Sequence, residues 1–422
     1  MTDPQVAVAA APGYRTVLAN REYRALWLTH VTSVLGDQVT LLVLASLVLA
    51  RTGSVALSAL SYTTMFLPWL LGGPLLSVLA DRCPRRTVMI VCDVLRGLVV
   101  LTMALPVVPV WGLFALAATV ALLGPPFEAA RGATVPDVLT ADEYPVAQSL
   151  SMASLQVAQL AGFGVGGLLV TLRPGSWALC VDAATFLLSA LVLRRCVVWR
   201  PGTNPTSDRS ARTWVRDSVQ GMSLVARTVE LRRLLGLSAV VAAVTVVPES
   251  LAVAQADRSG QLPLVAGLLC AALPFGTALG AVLAGRWAPT GNRLALVRPL
   301  ALLSCAACAA CLWEPSTPVL LLLWVLAGVG AGSLLRANVA FVLRVPPELR
   351  GRALSVAQVV LQVGQGAAIA AAGLLAGRVG PAEAVGWAGA FGLVAAGLLV
   401  LRWPASLKRD EAVPVSMQIV IG

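Results

Sequence analysis

Apolar stretches of about 20 residues recur along the whole chain and alternate with short polar segments. A helix of about 20 residues crosses the roughly 30 Å hydrocarbon core of a bilayer. The stretches are continuously apolar, whereas the strands of a membrane barrel alternate over about ten residues. The pattern predicts about twelve transmembrane helices, over residues 25–50, 55–80, 87–106, 109–130, 145–171, 176–196, 234–256, 263–285, 292–313, 317–340, 352–377 and 382–403.

The composition indicates the same class of protein. Hydrophobic residues make up 58% of the 422-residue chain and charged residues only 12%, and the mean hydropathy is +0.83. A soluble domain carries about 25% charged residues, so lipid must cover most of this surface. We expect an all-α membrane protein.

The net charge of +11 is unevenly distributed. If the N-terminus is cytoplasmic, the predicted outer loops hold only four of the 31 basic residues, Arg51, Arg173, Arg258 and Arg378. This positive-inside bias places both termini in the cytoplasm and argues against a nucleic-acid partner. Because arginine outnumbers lysine thirty to one, as is typical of GC-rich bacterial genomes, the predicted location is a bacterial cytoplasmic membrane.

A basic segment divides the chain into two sets of six helices. Within it, 214–229 is either an amphipathic helix at the membrane surface or part of a solvated linker. The predicted organisation is a cytoplasmic segment (1–24), an N-terminal six-helix bundle (25–196), a cytoplasmic linker (197–233), a C-terminal six-helix bundle (234–403) and a cytoplasmic tail (404–422).

The two halves repeat each other at an offset of 204–206 residues. The matches pair Leu79-Ala80-Asp81-Arg82 with Leu283-Ala284-Gly285-Arg286, Arg131 with Arg336, and Gln156, Gln159 and Gly167 with Gln362, Gln365 and Gly373. Six helices per unit preserve orientation, which predicts two bundles related by an axis along the membrane normal.

The loop after the second helix carries a family resemblance. Leu79-Ala80-Asp81-Arg82-Cys83-Pro84-Arg85-Arg86 resembles the signature loop of the major facilitator superfamily, with Ser77 and Pro84 in place of two glycines. Three other segments resemble the branch that holds siderophore exporters and macrolide-efflux proteins: Asn20 to Arg24, Gly36-Asp37-Gln38, and Val345-Pro346 with Arg350-Gly351-Arg352. The resemblance implies the major facilitator fold, in which helices one, four, seven and ten line a central cavity.

The signature loop contains candidate gating residues. Asp81 can accept hydrogen bonds from a helix N-terminus in the opposite half. Arg82, Arg85 and Arg86 can pair with carboxylates such as Asp137, Asp142 or Asp93. We expect these contacts only when the cytoplasmic side is closed; the alternative is a solvated loop that only fixes topology.

Charged residues inside the helices are functional candidates, because each costs about 2.5–3.5 kcal/mol on insertion scales. Asp37, midway along helix one, is the predicted proton-coupling carboxylate, since burial penalises its charged form. Glu249 in helix seven is the second candidate. For Asp37 the alternative is a structural hydrogen-bond anchor, and for Glu249 a hydrated position at the rim.

Two i,i+3 pairs lie in helices three and four. Glu128 and Arg131, with Arg336 as their counterpart in helix ten, either lock the inner gate or bind an anionic substrate, and we favour the gate. Asp93 and Arg96 are expected to support the signature loop, and Asp182 in helix six to be structural.

Amides and aromatic residues suggest an amphiphilic substrate cavity. Helix packing and interfacial anchoring are equally good explanations of these residues. The candidates are Gln38, Tyr62, Phe66, Trp69, Gln156, Gln159, Trp324, Gln358 and Gln362, with Gln365 alongside.

The sequence lacks the motifs of metal-binding, catalytic and nucleotide-binding sites. His30 is the only histidine, so we expect no multi-histidine metal site and no Ser-His triad. The sequence has no phosphate-binding Gly-x-x-x-x-Gly-Lys loop, and Cys305, Cys308 and Cys311 are expected only to pack. We therefore expect neither enzymatic activity nor a cofactor, and an ion gradient as the energy source.

These observations predict a monomeric, proton-coupled exporter of a small amphiphilic compound such as a drug, siderophore or other secondary metabolite. The alternatives are uptake or uniport of a nutrient, and a non-transporting membrane sensor or scaffold.

Overall fold

The protein is a bundle of helices in the computed structural model, which describes residues 13–64, 83–173, 175–200, 220–287, 294 and 296–403. The helices are α1 (Tyr14–Ala19), α2 (Arg21–Thr52), α3 (described over 55–64), α4 (Arg85–Met103), α5 (Val110–Leu122), α6 (Gly124–Val138), α7 (Tyr144–Leu172), α8 (Trp177–Cys196), α9 (described over 220–227), α10 (Val229–Arg258), α11 (Pro263–Trp287), α12 (Val297–Ala309), α13 (Thr317–Ala331), α14 (Ser333–Arg344), α15 (Arg350–Val379) and α16 (Pro381–Leu401).

The helices confirm the predicted all-α membrane fold. In the described part of the chain, nine spans are long and apolar enough to cross a bilayer, if α5 with α6 and α13 with α14 each count as one span. Three further predicted helices correspond to α3, to α4, and to α12 with the short 3₁₀ turn Ala310–Trp313.

Two of the predicted spans are interrupted. The fourth breaks at Leu123, because Pro125 and Pro126 lack the N–H groups that would continue the hydrogen-bond ladder. The tenth breaks at Gly332, between α13 and α14. Both spans also run past their predicted ends at 130 and 340, to Val138 and Arg344.

The start of α2 contacts two other segments, the end of α6 and the residues after α8, at one end of the molecule. The Asn20 side chain accepts hydrogen bonds from the backbone N–H groups of Glu22 and Tyr23 and donates one to the carbonyl of Val138 (3.0 Å). Glu22 forms an ion pair with Arg200 at 2.5 Å. We call this end, which holds Asn20, Glu22 and Arg200, the inner end, because the sequence predicts it to be cytoplasmic; the outer end is the opposite one.

The described part of the predicted linker is helical. The helix α9 packs on the first turn of α15, where the Arg352 guanidinium donates a hydrogen bond to the Gln220 side chain and Gly221 lies against the Arg352 carbonyl. Val225 is buried in the apolar core. A break at Thr228 then leads into α10, which starts at Val229 rather than at the predicted 234 because the last linker residues join the helix.

The two halves of the chain pack tightly towards the outer end. There α7 meets α11 so closely that a Cβ on Gly267 would lie 2.5 Å from the Phe163 carbonyl oxygen, which leaves room only for glycine. The Thr171 hydroxyl accepts a hydrogen bond from the Leu264 N–H at 2.8 Å. On the other side of the molecule α3 meets α15, where Gly373 packs against Ala59.

The inner end is organised differently. A separate apolar cluster there, which includes Tyr23, Phe127 and Leu193, consists entirely of residues from the N-terminal half. The cluster that joins the halves takes its N-terminal members from further out, among them Leu42, Tyr62 and Phe163. Among the described residues, the apolar contacts between the halves therefore lie towards the outer end, an arrangement that we interpret as inward-open.

The outer seal can be tested by cross-linking Ala59→Cys to Gly373→Cys. An ideal Cβ on Gly373 lies 3.0 Å from the Ala59 Cβ, close to the separation that a disulfide requires. We expect mild oxidation to give the 59–373 cross-linked peptide, detected by mass spectrometry.

The matched control is Ala59→Cys with Gly377→Cys, because a Cβ on Gly377 has no neighbour within 4 Å. Equal cross-linking yields from the two pairs would contradict the packing of α3 on α15.

Candidate transport site

Asp37 lies half-buried at the middle of α2. Among the described residues its carboxylate has no hydrogen-bond or ion-pair partner, yet it lies within electrostatic range of Arg96, Glu128 and His30. These groups come from α2, α4 and α6, so three helices of the N-terminal half contribute to one polar centre.

Arg96 is the cation at the centre of this region. Its side chain is buried, donates a hydrogen bond to the Ser33 hydroxyl at 3.2 Å, and lies over the rings of Phe127 and Phe186 at 5.8 and 5.4 Å. The contacts of a guanidinium with aromatic faces are attractive and are stronger when water is excluded. Arg96 therefore connects α4 with α2, α6 and α8.

Asp93 lies one turn away from Arg96 and is fully buried. It accepts a hydrogen bond from Ser189 on α8 at 2.5 Å, while its other carboxylate oxygen has no partner among the described residues. The expected support of the signature loop by this pair stays a prediction, because Asp81 and Arg82 lie outside the described residues.

Glu128 and Arg131 form the predicted pair on one face of α6. The Arg131 guanidinium donates to Glu128 Oε2 at 2.8 and 3.0 Å. Glu128 Oε1 lies 3.0 Å from His30 Nδ1, a hydrogen-bonding distance when that nitrogen carries a proton. His30, Glu128 and Arg131 thus form a triad across α2 and α6. Arg336, the predicted counterpart of this pair, lies half-buried on α14 in the other half of the chain.

A further carboxylate packs behind Asp37. Asp182 on α8 is buried and accepts hydrogen bonds from the hydroxyls of Thr40 on α2 and Thr185 on its own helix. A Cβ on Gly36 would collide with the Asp182 carboxylate, so the glycine next to Asp37 allows this approach.

The C-terminal half provides a cavity of about 400 Å³ among α10, α14 and α15. We call it the C-terminal groove; its lining combines apolar side chains, Phe341 among them, with the polar side chains of Ser238, Asn338, Gln358, Gln362 and Gln365. Its volume falls in the usual range for small-molecule pockets, about 300–1,000 Å³. The predicted cavity residues Gln358 and Gln362 therefore lie together in a pocket.

The structure corrects two predicted cavity residues. Trp324 is fully buried in the core of the C-terminal half. Tyr62 is also buried, and its hydroxyl lies 3.4 Å from the Cys270 sulfur at the contact between the halves. Neither residue lines the C-terminal groove. The sequence could not show this, because an apolar helix sequence does not reveal which of its faces packs against another helix.

Glu249 is not part of the centre around Asp37. It lies half-buried on α10 after Pro248, and its carboxylate acts electrostatically on Tyr62 and Cys270. The two predicted proton-coupling residues therefore belong to different places, Asp37 to the N-terminal bundle and Glu249 to the contact between the halves.

The remaining predicted cavity residues are dispersed. Gln38 packs against Gly162 of α7, and Gln156 and Gln159 are half-buried on α7 but do not line the C-terminal groove. Phe66 and Trp69 lie outside the described residues.

The described gating arginines bind within one half. Arg85 forms an ion pair with Asp137 at 2.5 Å and also donates to the Ala133 carbonyl, and Arg86 donates to the Arg194 carbonyl. Arg85 therefore pairs with one of the carboxylates that the sequence suggested. The partners on α6 and α8 belong to the same bundle, so these two contacts do not themselves join the halves. The dependence of the loop contacts on a closed cytoplasmic side stays a prediction.

Sequence reasoning gave no role to His30 and treated Asp182 as structural. The i,i+3 and i,i+4 spacings identify pairs on one helix, whereas His30–Glu128 and Asp182–Thr40 join different helices. A signal was present for Asp182, since it is the only charged residue between Trp177 and Leu193.

Comparison with solved structures gives three similar folds. A POT family transporter in complex with 5-aminolevulinic acid has a TM-score of 0.71 at 11% identity, over 90% of this chain and 96% of that one. A bacterial homologue of the human lysosomal transporter Spinster, inward-facing and unoccupied, has a TM-score of 0.68 at 17% identity, over 90% and 94%. A D-xylose–proton symporter has a TM-score of 0.66 at 14% identity, over 93% and 100%.

At these identities the similarity concerns the fold. A search of curated proteins gives no match. The sequence itself matches the description "Major Facilitator Superfamily" over residues 26–259 and 234–416, which together span most of the chain. The chain belongs to the Major Facilitator Superfamily of secondary transporters.

Proposed function

We propose that the protein is a proton-coupled exporter of small amphiphilic compounds, working by alternating access in a bacterial cytoplasmic membrane with both termini inside. The observation that carries the proton coupling is the position of Asp37 at mid-membrane depth among Arg96, Glu128 and His30, where no described residue pairs with its carboxylate. Such a group is functional by default, because an idle charge there is costly.

The distribution of charge supports separate sites for proton and cargo. Away from the first and last turns of its described helices, the N-terminal half holds seven acidic or basic side chains: His30, Asp37, Asp93, Arg96, Glu128, Arg131 and Asp182. The C-terminal groove instead presents amides and a hydroxyl on an apolar surface. Neutral hydrogen-bonding groups on apolar walls suit an amphiphilic molecule, so drugs, siderophores or other secondary metabolites are the proposed cargo.

In the proposed cycle Asp37 accepts a proton from the outer side as cargo leaves and releases it on the inner side before cargo binds. The proton gradient supplies the energy, with no cofactor, and the monomer is the working unit. The inward-open arrangement corresponds to the loading state. The tight contacts of α7 with α11 and of α3 with α15 must separate for release.

A transport screen tests the direction. An efflux-deficient host expressing the protein is given a panel of fluorescent amphiphilic dyes and antibiotics, with and without a protonophore. We expect lower accumulation of at least one compound, restored by the protonophore. Higher accumulation would indicate uptake, and no flux of any compound in proteoliposomes would favour a sensor or scaffold.

Asp37→Asn tests the coupling residue. The amide cannot carry a proton, so we expect efflux of the identified compound to fall to the level of cells lacking the protein, with the variant still in the membrane. Asp257→Asn makes the same change at an exposed site near the end of α10 and should leave efflux unchanged. Undiminished proton-driven efflux by Asp37→Asn would remove Asp37 from the mechanism.

Gln362→Ala tests the C-terminal groove. One lost hydrogen bond contributes about 0.5–1.5 kcal/mol, so the concentration of compound that gives half-maximal efflux should rise about two- to tenfold. Gln148→Ala, at an exposed position on α7, serves as the control. Identical saturation curves for the two variants would exclude the groove as the cargo site.

A further inference from the structure

Asp182 is an enclosed carboxyl in an otherwise apolar part of α8. Its side chain is 1% exposed, and no other charged residue lies between Trp177 and Leu193. An ionised carboxylate in such a position must be balanced by a nearby cation, or the group keeps its proton.

The direct partners of Asp182 are hydroxyls. Thr40 bonds one carboxyl oxygen and Thr185 lies 3.1 Å from the other. In the described part of the chain no arginine, lysine or histidine lies within ion-pair distance of this carboxyl. A hydroxyl can donate to a carboxylate or accept from a protonated acid by rotating its hydrogen. The pocket can therefore hold either protonation state of Asp182 without rearrangement of the backbone.

The second observation is where the carboxyl lies. One Asp182 oxygen packs directly on the backbone of α2 at Gly36, in the space that a Cβ would fill. Gly36 immediately precedes Asp37, and Thr40 follows one turn later. Two carboxyls on neighbouring helices therefore flank the same turn of α2.

The charged groups around Asp182 are few. The helix α8 packs against α2 and α4 and, less extensively, against α7. Asp37 on α2 and Arg96 on α4 act on Asp182 electrostatically, and α7 has no charged residue between Tyr144 and Leu172. The helix α4 also carries Asp93, which accepts a hydrogen bond from Ser189 on α8. Asp37, Asp93 and Asp182 are thus three acids near one cation, and Arg96 is already hydrogen-bonded to Ser33.

We propose that Asp182 is a second proton-carrying carboxyl, which exchanges a proton with Asp37 across the contact between α2 and α8. The proposal rests on the proposed proton coupling. Two negative charges close to a single cation disfavour each other, so a proton resides on one acid when the other is ionised. When the Asp182 acid releases its proton and the Asp37 carboxylate accepts it, one O–H bond breaks and one forms, and the total charge is unchanged.

The two acids would then titrate as a coupled pair. Asp37 carries the proton to and from water on either side, and Asp182 retains it inside the bundle while the site around Asp37 changes its exposure. Asp182 is accordingly a residue of the proton path rather than an anchor for helix packing.

Infrared difference spectroscopy of the full chain in lipid nanodiscs tests this with the proton as the only ligand. Difference spectra between acidic and alkaline pH should contain the C=O band of a protonated carboxylic acid. This band is present at acidic pH and disappears at alkaline pH. Asp182→Asn should remove one component of this band, and Asp257→Asn, at an exposed position on α10, should not. An unchanged band in Asp182→Asn, or a component that persists at alkaline pH, would overturn the proposal.

Thr40→Val keeps the test decisive if Asp182→Asn does not fold. Without the hydroxyl the protonated acid loses a hydrogen bond, so the Asp182 component should move to higher frequency. An unshifted band in Thr40→Val would show that no protonated acid faces Thr40.

The titration of the Asp37→Asn variant tests the exchange between the two acids. Its Asp182 component should disappear at a lower pH than in the native protein, because a negative neighbour has been removed. The same titration point in the variant and in the native protein would contradict exchange between the two acids.

The outcome separates this proposal from the proposed function. If Asp37→Asn retains proton-driven efflux while the Asp182 component responds as described, the coupling role of Asp37 is wrong and Asp182 remains a titrating acid. If Asp37→Asn abolishes efflux and the Asp182 component is absent, the proposed function stands and the second proton site is wrong.

Discussion

The cost of placing charge in a low-dielectric bundle governs how this protein is built. Each ionisable side chain within the helices must be paired, hydrogen-bonded, protonated or hydrated. In the N-terminal half pairing and hydrogen bonding both occur within a few turns of helix. Glu128 is paired with Arg131, and Arg96 is held by a hydroxyl and two aromatic rings. Asp37, which has no partner in the described part of the chain, is the group for which water access would matter most.

Glycine sets the other constraint, which is how closely the two halves approach. Gly167 and Gly267 bring α7 and α11 into backbone contact, and Gly373 does the same for α15 on α3. These contacts lie towards the outer end, whereas a separate apolar cluster at the inner end consists only of residues from the N-terminal half. Helices that pack closely at glycines are held mainly by van der Waals contacts, so they can separate without breaking strong bonds, as alternating access requires.

The sequence was sufficient for the fold and for part of the site. Continuous apolar stretches gave the spans, and Asp37 and the Glu128–Arg131 pair could be identified because a charge inside an apolar stretch is conspicuous. Contacts between helices were not accessible: His30 with Glu128 and Asp182 with Thr40 are far apart in sequence. The burial of Trp324 was missed for a related reason, since an evenly apolar helix carries no periodicity to show which face is inside. The break at Pro125-Pro126 was visible in the sequence but was not used.

The central claim is that water reaches Asp37 from each side of the membrane in turn. It can be measured with Asp37→Cys in a background without the eight native cysteines, labelled by a membrane-impermeant thiol reagent in right-side-out and inside-out vesicles. The account predicts modification from both sides, with the compound identified in the transport screen changing the ratio between them. Modification from one side only, or from neither, would contradict it.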